Sequence, residues 1–509
     1  MLQKQSIFTL IKSLSTGEKR TFKLYASKYA KKDANACVQL FDILNSLNSY
    51  DSNTVKKIFE PVKHLSVTKT KLFKLILESL SGHSSTNKQP IFIINNQVEF
   101  AHILQHRSLF KEAANFITKA REYAQKLEYH NQVLAIISQE KQIINRILPV
   151  QEYAIRSNEL DKIRIDTLNK LNNKWEYSQL TDKLWLLYRT YDNPQSSIEK
   201  KVYQDFFNHP LLSDPSKALS TIALLEYYSL QTLCLKMLGN IDLAYEKAKQ
   251  QLAIIEKKIH LTIYELGWIF STLNNLITLA IELNKYNDFK QYLAKLNDIP
   301  NHTPHLTHYH EKRIFEININ SQLQYCISTQ KYNEGIALVP TMEEGIKTYQ
   351  HTGLSKDRII RLYFSIGLLY YYLEEWNISH IWIKKTLEEQ SDQTAITIIA
   401  LVRIMDLFLH LQHQNYVVLK YQILKTRRFL NRNKRLLETE AIILKYLSKI
   451  SKFRNIQHKN NLQKLYQDLL IQKQKTPNNS LFTYLKLDIW LETKINDTSF
   501  LEACQINNA

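Results

Sequence analysis

The densest set of metal-ligating side chains in the sequence is His302-x-x-His305-x-x-His308-x-His310-Glu311. Imidazole nitrogen binds zinc or nickel, and two histidines three residues apart on a helix can share one ion. Thr303-Pro304 reads as a helix start, however, with a capping oxygen ahead of a proline whose missing amide costs nothing there. That start places His302 outside the helix and turns His308 and His310 apart, so the segment is expected to be a polar helix start with no metal. His102 and His106 stand four apart near a helix end, where imidazoles satisfy terminal carbonyls. The four cysteines, Cys37, Cys234, Cys326 and Cys504, lie far apart without a C-x-x-C pair, a pattern that suits a reducing compartment. No H-E-x-x-H occurs, and no Ser–His–Asp or Cys–His arrangement is supported by spacing. The carboxylate pairs Glu374-Glu375 and Glu388-Glu389 fall at helix ends on polar faces. With 8 glycines in 509 residues there is no G-x-x-x-x-G-K-[ST] and no G-x-G-x-x-G, which excludes the usual nucleotide-driven enzymes. Catalytic, cofactor and metal residues are therefore all expected to be absent.

Charge gives the other chemical signal. The net charge of +19 is concentrated in residues 1–90, which carry +9, and residues 420–475, which carry +12. Clustering of this kind creates a local potential that a high isoelectric point alone does not. The alternative is drift in a chain rich in Lys, Asn and Ile. In the first region, Asp51–Phe59 and Ser66–Leu80 could form a helix-turn-helix. The second helix would bury Phe73, Ile76, Leu77 and Leu80 and leave Thr68, Lys71 and Lys74 outward, with Lys69 beside them, for phosphates and a major groove. The connection is loose, and the other reading is a small helical cap. In the second region Lys425, Arg427, Arg428, Arg432, Lys434 and Arg435 surround Phe429 and Leu430, as a nucleic-acid or acidic-partner surface or as a solvated helix.

These residues must be carried by helices. Ten prolines and eight glycines supply too few turns for a many-stranded protein. Ser15-Thr16-Gly17-Glu18 is a capping box, and Phe22, Tyr25 and Tyr29 follow on one face. Residues 81–87 contain no apolar side chain and lead to Pro90, the best boundary in the chain. Asp214-Pro215 predicts a further helix start. Residues 151–190 look longer and less regular and read as an inserted or bridging pair. Ala395–Leu411 is the most apolar later stretch, but Arg403 and Asp406 make it a buried helix rather than a membrane span. Met1-Leu2-Gln3-Lys4 leads into an amphipathic stretch interrupted by Lys12, without the apolar run of a signal peptide. A soluble, cytoplasmic chain is expected.

Self-similarity is the strongest feature. Leu238-Gly239-Asn240-Ile241, Leu283-Asn284-Lys285-Tyr286, Thr329-Gln330-Lys331-Tyr332, Leu373-Glu374-Glu375-Trp376 and Gln414-Asn415-Tyr416 each read as a helix end, a polar turn and a new helix. Ile241, Tyr286, Tyr332, Trp376 and Tyr416 are spaced 45, 46, 44 and 40 residues apart. Here the chain resembles the tetratricopeptide repeat (TPR) family. Gly367, Tyr370, Trp376, Ser379 and Ile383 fall at that family's small, aromatic, aromatic, small and large positions, and Ala244 and Ala248 match its close-packing pair. The usual period is about 34 residues. Here the period is longer, Phe289 and Leu419 replace the small residue, and no closing proline recurs. The resemblance covers roughly 91–450. It implies a right-handed α-solenoid of helical hairpins whose concave face binds peptide or protein segments. Independently of the name, single hairpins cannot bury their apolar faces and must stack.

The resulting expectation is an all-α chain. Residues 1–80 form a basic helical domain, 81–90 a linker, 91–450 TPR-like repeats with an irregular insertion at 151–210, and 451–509 capping helices. Its expected function is a non-enzymatic scaffold for a protein or peptide segment, with no membrane or small-molecule partner. The alternative is a regulator that touches DNA through its N-terminal helices.

Overall fold

The computed structural model describes residues 6–29, 34–47, 50, 65–81, 89–190, 194, 197–258, 266–303, 306–349, 353–390, 395–452, 457–476 and 479–506. Among them regular structure is helical throughout. In chain order the helices are α1 (Ser6–Ser13), α2 (Thr16–Tyr29), α3 (Ala34–Ser46), α4 (Leu65–Ser81), α5 (Pro90–His106), α6 (Phe110–Lys126), α7 (His130–Ile144), α8 (Val150–Thr190) and α9 (Ser197–Phe207). There follow α10 (Thr221–Met237), α11 (Ile241–Lys257), α12 (Leu266–Glu282), α13 (Tyr286–His302), α14 (His308–Ser328), α15 (Tyr332–Ile336), α16 (Val339–Tyr349) and α17 (Lys356–Tyr372). The last are α18 (Trp376–Glu388), α19 (Ile396–Gln412), α20 (Tyr416–Arg432), α21 (Glu438–Ile450), α22 (Gln457–Lys475), α23 (Ser480–Thr483), α24 (Leu487–Asn496) and α25 (Phe500–Ile506). The chain divides into two compact units, residues 1–189 with 202–314, and residues 190–201 with 315–509.

In the first unit, α1 to α4 enclose their own core of Phe8, Ile11, Phe22, Phe41, Leu44, Leu72 and Ile76. The capping box holds: the Ser15 amide donates to Glu18 Oε2 at 2.8 Å, and the Glu18 amide to Ser15 Oγ at 3.3 Å. Helices α5, α6 and α7 pack each on the next, as do α10 to α13. The predicted irregular pair begins with one helix of 41 residues, α8, about 60 Å long at 1.5 Å per residue. Asp214-Pro215 opens only a 3₁₀ turn, Pro215–Lys217, with the Ser216 amide on Asp214 Oδ1 at 2.8 Å. The helix starts later, at Ser220, because Asn173 of α8 claims the backbone that a continued helix would use. Its amide donates to Lys217 O at 3.0 Å, and its carbonyl accepts from the Leu219 amide at 2.9 Å.

In the second unit each of α17 to α22 packs on the next, and α24 and α25 join α22 and α17. One continuous core runs from Ile319 to Cys504. Of Tyr370-Tyr371-Tyr372, the last two are fully buried, their hydroxyls donating to the carbonyls of Leu485 and Tyr484.

The turns share one geometry. Ser108, Glu128, Gly239, Asn284, Gln330, Glu374 and Gln414 all have φ between 53 and 84°. Each lies two residues before the first residue of a helix, α6, α7, α11, α13, α15, α18 or α20. The residue between donates its amide to the carbonyl five residues earlier, as in Asn240 to Leu235 O at 2.9 Å, Lys331 to Cys326 O at 2.9 Å and Asn415 to His410 O at 3.0 Å. This is the Schellman closure, which satisfies the carbonyls left over at a helix end and usually takes glycine. Only Gly239 is glycine. At two of the turns a carboxylate offsets the strain by capping another helix: Glu128 accepts from the Thr221 amide at 2.8 Å, and Glu374 from the Phe500 amide at 2.6 Å. Exposed Gln414 makes no such contact. Gln414→Gly is expected to stabilise the chain by about 0.5–1 kcal/mol, read as a raised urea midpoint at constant m; a lowered midpoint contradicts the strain argument.

Candidate docking surface

Helix α20 has two unlike sides. Leu419, Ile423, Thr426 and Leu430, spaced four, three and four, are buried against the core. On the opposite side Val417, Tyr421 and Leu424, spaced four and three, are 79%, 58% and 52% exposed. Arg428 continues that line, Lys420 and Arg427 flank it on one side, and Lys425 and Arg432 on the other. All five cations are exposed, and the helix contains no acidic residue. The Lys425 ammonium lies 4.4 Å from the Tyr421 ring centroid. An apolar stripe at i, i+4, i+7 with a cationic rim complements an amphipathic segment with an acidic rim. The sequence located Arg427, Arg428 and Arg432 but missed Val417, Tyr421 and Leu424. The signal was there, as a second apolar series out of phase with the buried one.

The N-terminal lysines do not all share one face. Lys71 and Lys74 share one exposed side of α4, with Lys74 3.7 Å from Glu78. Lys69 faces away from them and donates to the Tyr50 hydroxyl at 2.9 Å. Thr68 is buried and Leu77 is 47% exposed, the reverse of the expected arrangement, because α4 packs on both α2 and α3 through Thr68, Leu72, Ile76 and Ser79. Asp51–Phe59, the proposed partner helix, lies outside the described residues.

The 302–311 histidines go to separate partners. His302 is the last residue of α13 rather than outside a helix, 2.9 Å from Asp298. The next helix begins only at His308, where Thr307 O accepts the amides of His310 and Glu311. His308 lies 3.5 Å from Glu311, and the His310 ring lies against Phe270. His305 is outside the described residues, and His102 meets Gln139 of α7. The described residues instead bring together His380 of α18 with Asp406 and His410 of α19, none of which the sequence reading treated as a ligand. The D-x-x-x-H spacing within α19 was the available signal; the third member comes from another helix.

Other polar sites carry little chemistry. Burial pushes the Cys234 thiol up to about 12 and Cys504 to about 11, and raises Cys326, so these three stay in the unreactive thiol form. Burial also raises the Glu440 carboxyl to about 7. Its cavity, about 40 Å³ and lined by Thr397, Leu401, Arg435 and Asn479 among others, is far smaller than a substrate pocket. A groove of about 310 Å³ between α7 and α8 is lined by Glu140, Glu152, Arg156 and Glu159, but Glu140 is already saturated by ion pairs within it. Among the described residues no helix is long and apolar enough to cross a membrane. In comparison with known proteins, no family model matches the chain, and neither a curated protein nor a solved structure shows significant similarity to it.

Proposed function

We propose that the chain is a non-enzymatic, cytoplasmic scaffold of TPR-like helical hairpins in a right-handed solenoid. It docks an acidic, amphipathic protein segment on the outward side of α20. The observation that carries this reading is the exposed Val417–Tyr421–Leu424 stripe inside a rim of Lys420, Lys425, Arg427 and Arg428. Apolar side chains in the middle of such a patch supply binding energy, and the surrounding charges supply orientation and encounter rate. The recurring turn supports the scaffold, and the buried thiols Cys234, Cys326 and Cys504 support its compartment.

The test is capture of partners by the full chain, with and without nuclease, alongside a Tyr421→Glu/Leu424→Glu variant of unchanged far-UV circular dichroism. The expected result is a stoichiometric, nuclease-resistant protein partner that the variant loses by about 100-fold, as for two central anchors worth more than 1 kcal/mol each. Retention by the variant overturns the α20 site. A partner that disappears with nuclease transfers the reading to a nucleic-acid-binding regulator.

A further inference from the structure

Asp406 is 5% exposed and carries a carboxylate into the core between α18 and α19. Its partners are two imidazoles: His380 Nε2 at 3.1 Å from Oδ1, and His410 Nε2 at 3.7 Å from Oδ2. The nearest guanidinium on the same helix, Arg403, is directed elsewhere, with Nη2 donating to Gln390 Oε1 at 2.8 Å and its plane over Phe429 at 4.6 Å. Arg403 acts on Asp406 only at longer range, so the direct contacts of this buried carboxylate are imidazoles, and a bound cation would add the compensating charge that burial favours.

His410 has the complementary deficit. It is 6% exposed, and its Nδ1 is buried without a hydrogen-bond partner. Its Nε2, at 3.7 Å from the carboxylate, is also beyond hydrogen-bond reach. Nδ1 is therefore the one orphaned nitrogen of this ring, while Nε2, the nitrogen nearer Asp406, is open to a ligand other than the carboxylate.

The spacing fits one ion. Zinc–nitrogen and zinc–oxygen bonds of about 2.0–2.2 Å in a tetrahedron put neighbouring ligand atoms roughly 3.3 Å apart. The separations of 3.1 Å from His380 Nε2 to Oδ1 and 3.7 Å from His410 Nε2 to Oδ2 reach different carboxylate oxygens and lie on either side of that edge, and one ligand atom from each of the three residues falls within 4.8 Å of the others. The His380 and His410 rings meet at 88° with centroids 4.7 Å apart, so their nitrogens converge on the carboxylate rather than stacking past it. The His413 ring lies nearly parallel to His380 at 5.8 Å and backs that imidazole from the surface. The His380 side chain is 28% exposed, which gives an ion a route in and a position for water.

We propose that His380, Asp406 and His410 bind one divalent transition-metal ion of the zinc class, with water in the remaining position. The ion neutralises Asp406, engages His410 and ties α18 to α19. Imidazole with carboxylate suits zinc, cobalt or iron(II) over calcium or magnesium.

The test uses the full chain, purified without a histidine tag, stripped with chelator and titrated with Co²⁺. One equivalent is expected to bind with the visible absorption of a four- or five-coordinate site. His380→Ala, at the partly exposed ligand, is expected to weaken binding at least about 100-fold, beyond the 10–100-fold loss typical of an outer-shell partner. His308→Ala/His310→Ala is expected to leave binding unchanged. Failure of the wild-type chain to take up one equivalent overturns the proposal, as does uptake that survives His380→Ala or is lost with His308 and His310. Should His380→Ala fail to fold, paramagnetic shifts of the His380 and His410 ring protons in the wild-type Co²⁺ form decide the matter, and their absence overturns the site.

Discussion

Glu140→Ala is expected to destabilise the α6–α7 region by about 3–5 kcal/mol. Glu140 is fully buried in α7. Its Oε2 lies 2.6 Å from Arg121 Nε, and its Oε1 accepts from Arg156 Nη2 at 3.0 Å and Thr118 Oγ1 at 3.1 Å. Arg156 is one-third exposed and keeps Glu159 at 2.9 Å, so it survives the loss. Arg121, with a 5% exposed side chain, keeps only Glu122 at 3.6 Å and a bond to Gln125, and its Nε is left as the end of a buried cation facing a void. The penalty comes from the abandoned charge rather than from the pair itself, so Arg121→Met/Glu140→Leu is expected to recover most of the loss. Hydrogen exchange of the α6 and α7 amides under native conditions measures both variants. If Glu140→Ala leaves that protection intact, or the double variant is worse than the single, the account is wrong.

Gly367→Leu is expected to cost about 3 kcal/mol, combining overpacking with one lost buried hydrogen bond. Even a β-carbon at Gly367 of α17 would lie 2.9 Å from Ile383 Cδ1 and 3.3 Å from its Cγ1. The two helices come this close because Ser379 Oγ donates to Gly367 O at 2.9 Å and Ser379 is completely buried. A leucine must push α18 away and break that bond. Gly367→Ala is milder, because its better helix propensity, worth about 1 kcal/mol, offsets the shift of Ile383. Thermal unfolding checks the series: a midpoint unchanged by leucine would show that α17 and α18 are not in close contact, whereas partial recovery in Gly367→Leu/Ile383→Ala would locate the clash.

The Gly367 contact also shows how far the sequence could be read. Gly367, Ser379 and Ile383 stand at the small, small and large positions of the family that the sequence resembles, and they meet in the structure. A small residue opposite a small residue is a local requirement of two helices in close approach, and it leaves a mark in the sequence. The repeated turns were legible for the same reason. Ile241, Tyr286, Tyr332, Trp376 and Tyr416 each open a helix two residues after a left-handed residue. Ser108 and Glu128 open two more turns of the same kind, but the helices that follow start at Phe110 and His130, outside the spacing that marks the other five; Glu128 is held there by its distant partner Thr221.

What the sequence determined by itself was the helical character, the capping box at Ser15, the turn positions and the basic character of α20, because each depends on residues within a few positions of one another. What only the tertiary structure decided depends on separate helices meeting. Asn173 stops a helix at Asp214-Pro215 by taking its backbone from a distance. Packing on two neighbours turns Thr68 inward and Leu77 outward. The 302–310 histidines, dense in sequence, are divided between α13 and α14. His380, Asp406 and His410 converge because α18 packs on α19, and periodicity along one helix carries no information about which residue of the next will face it.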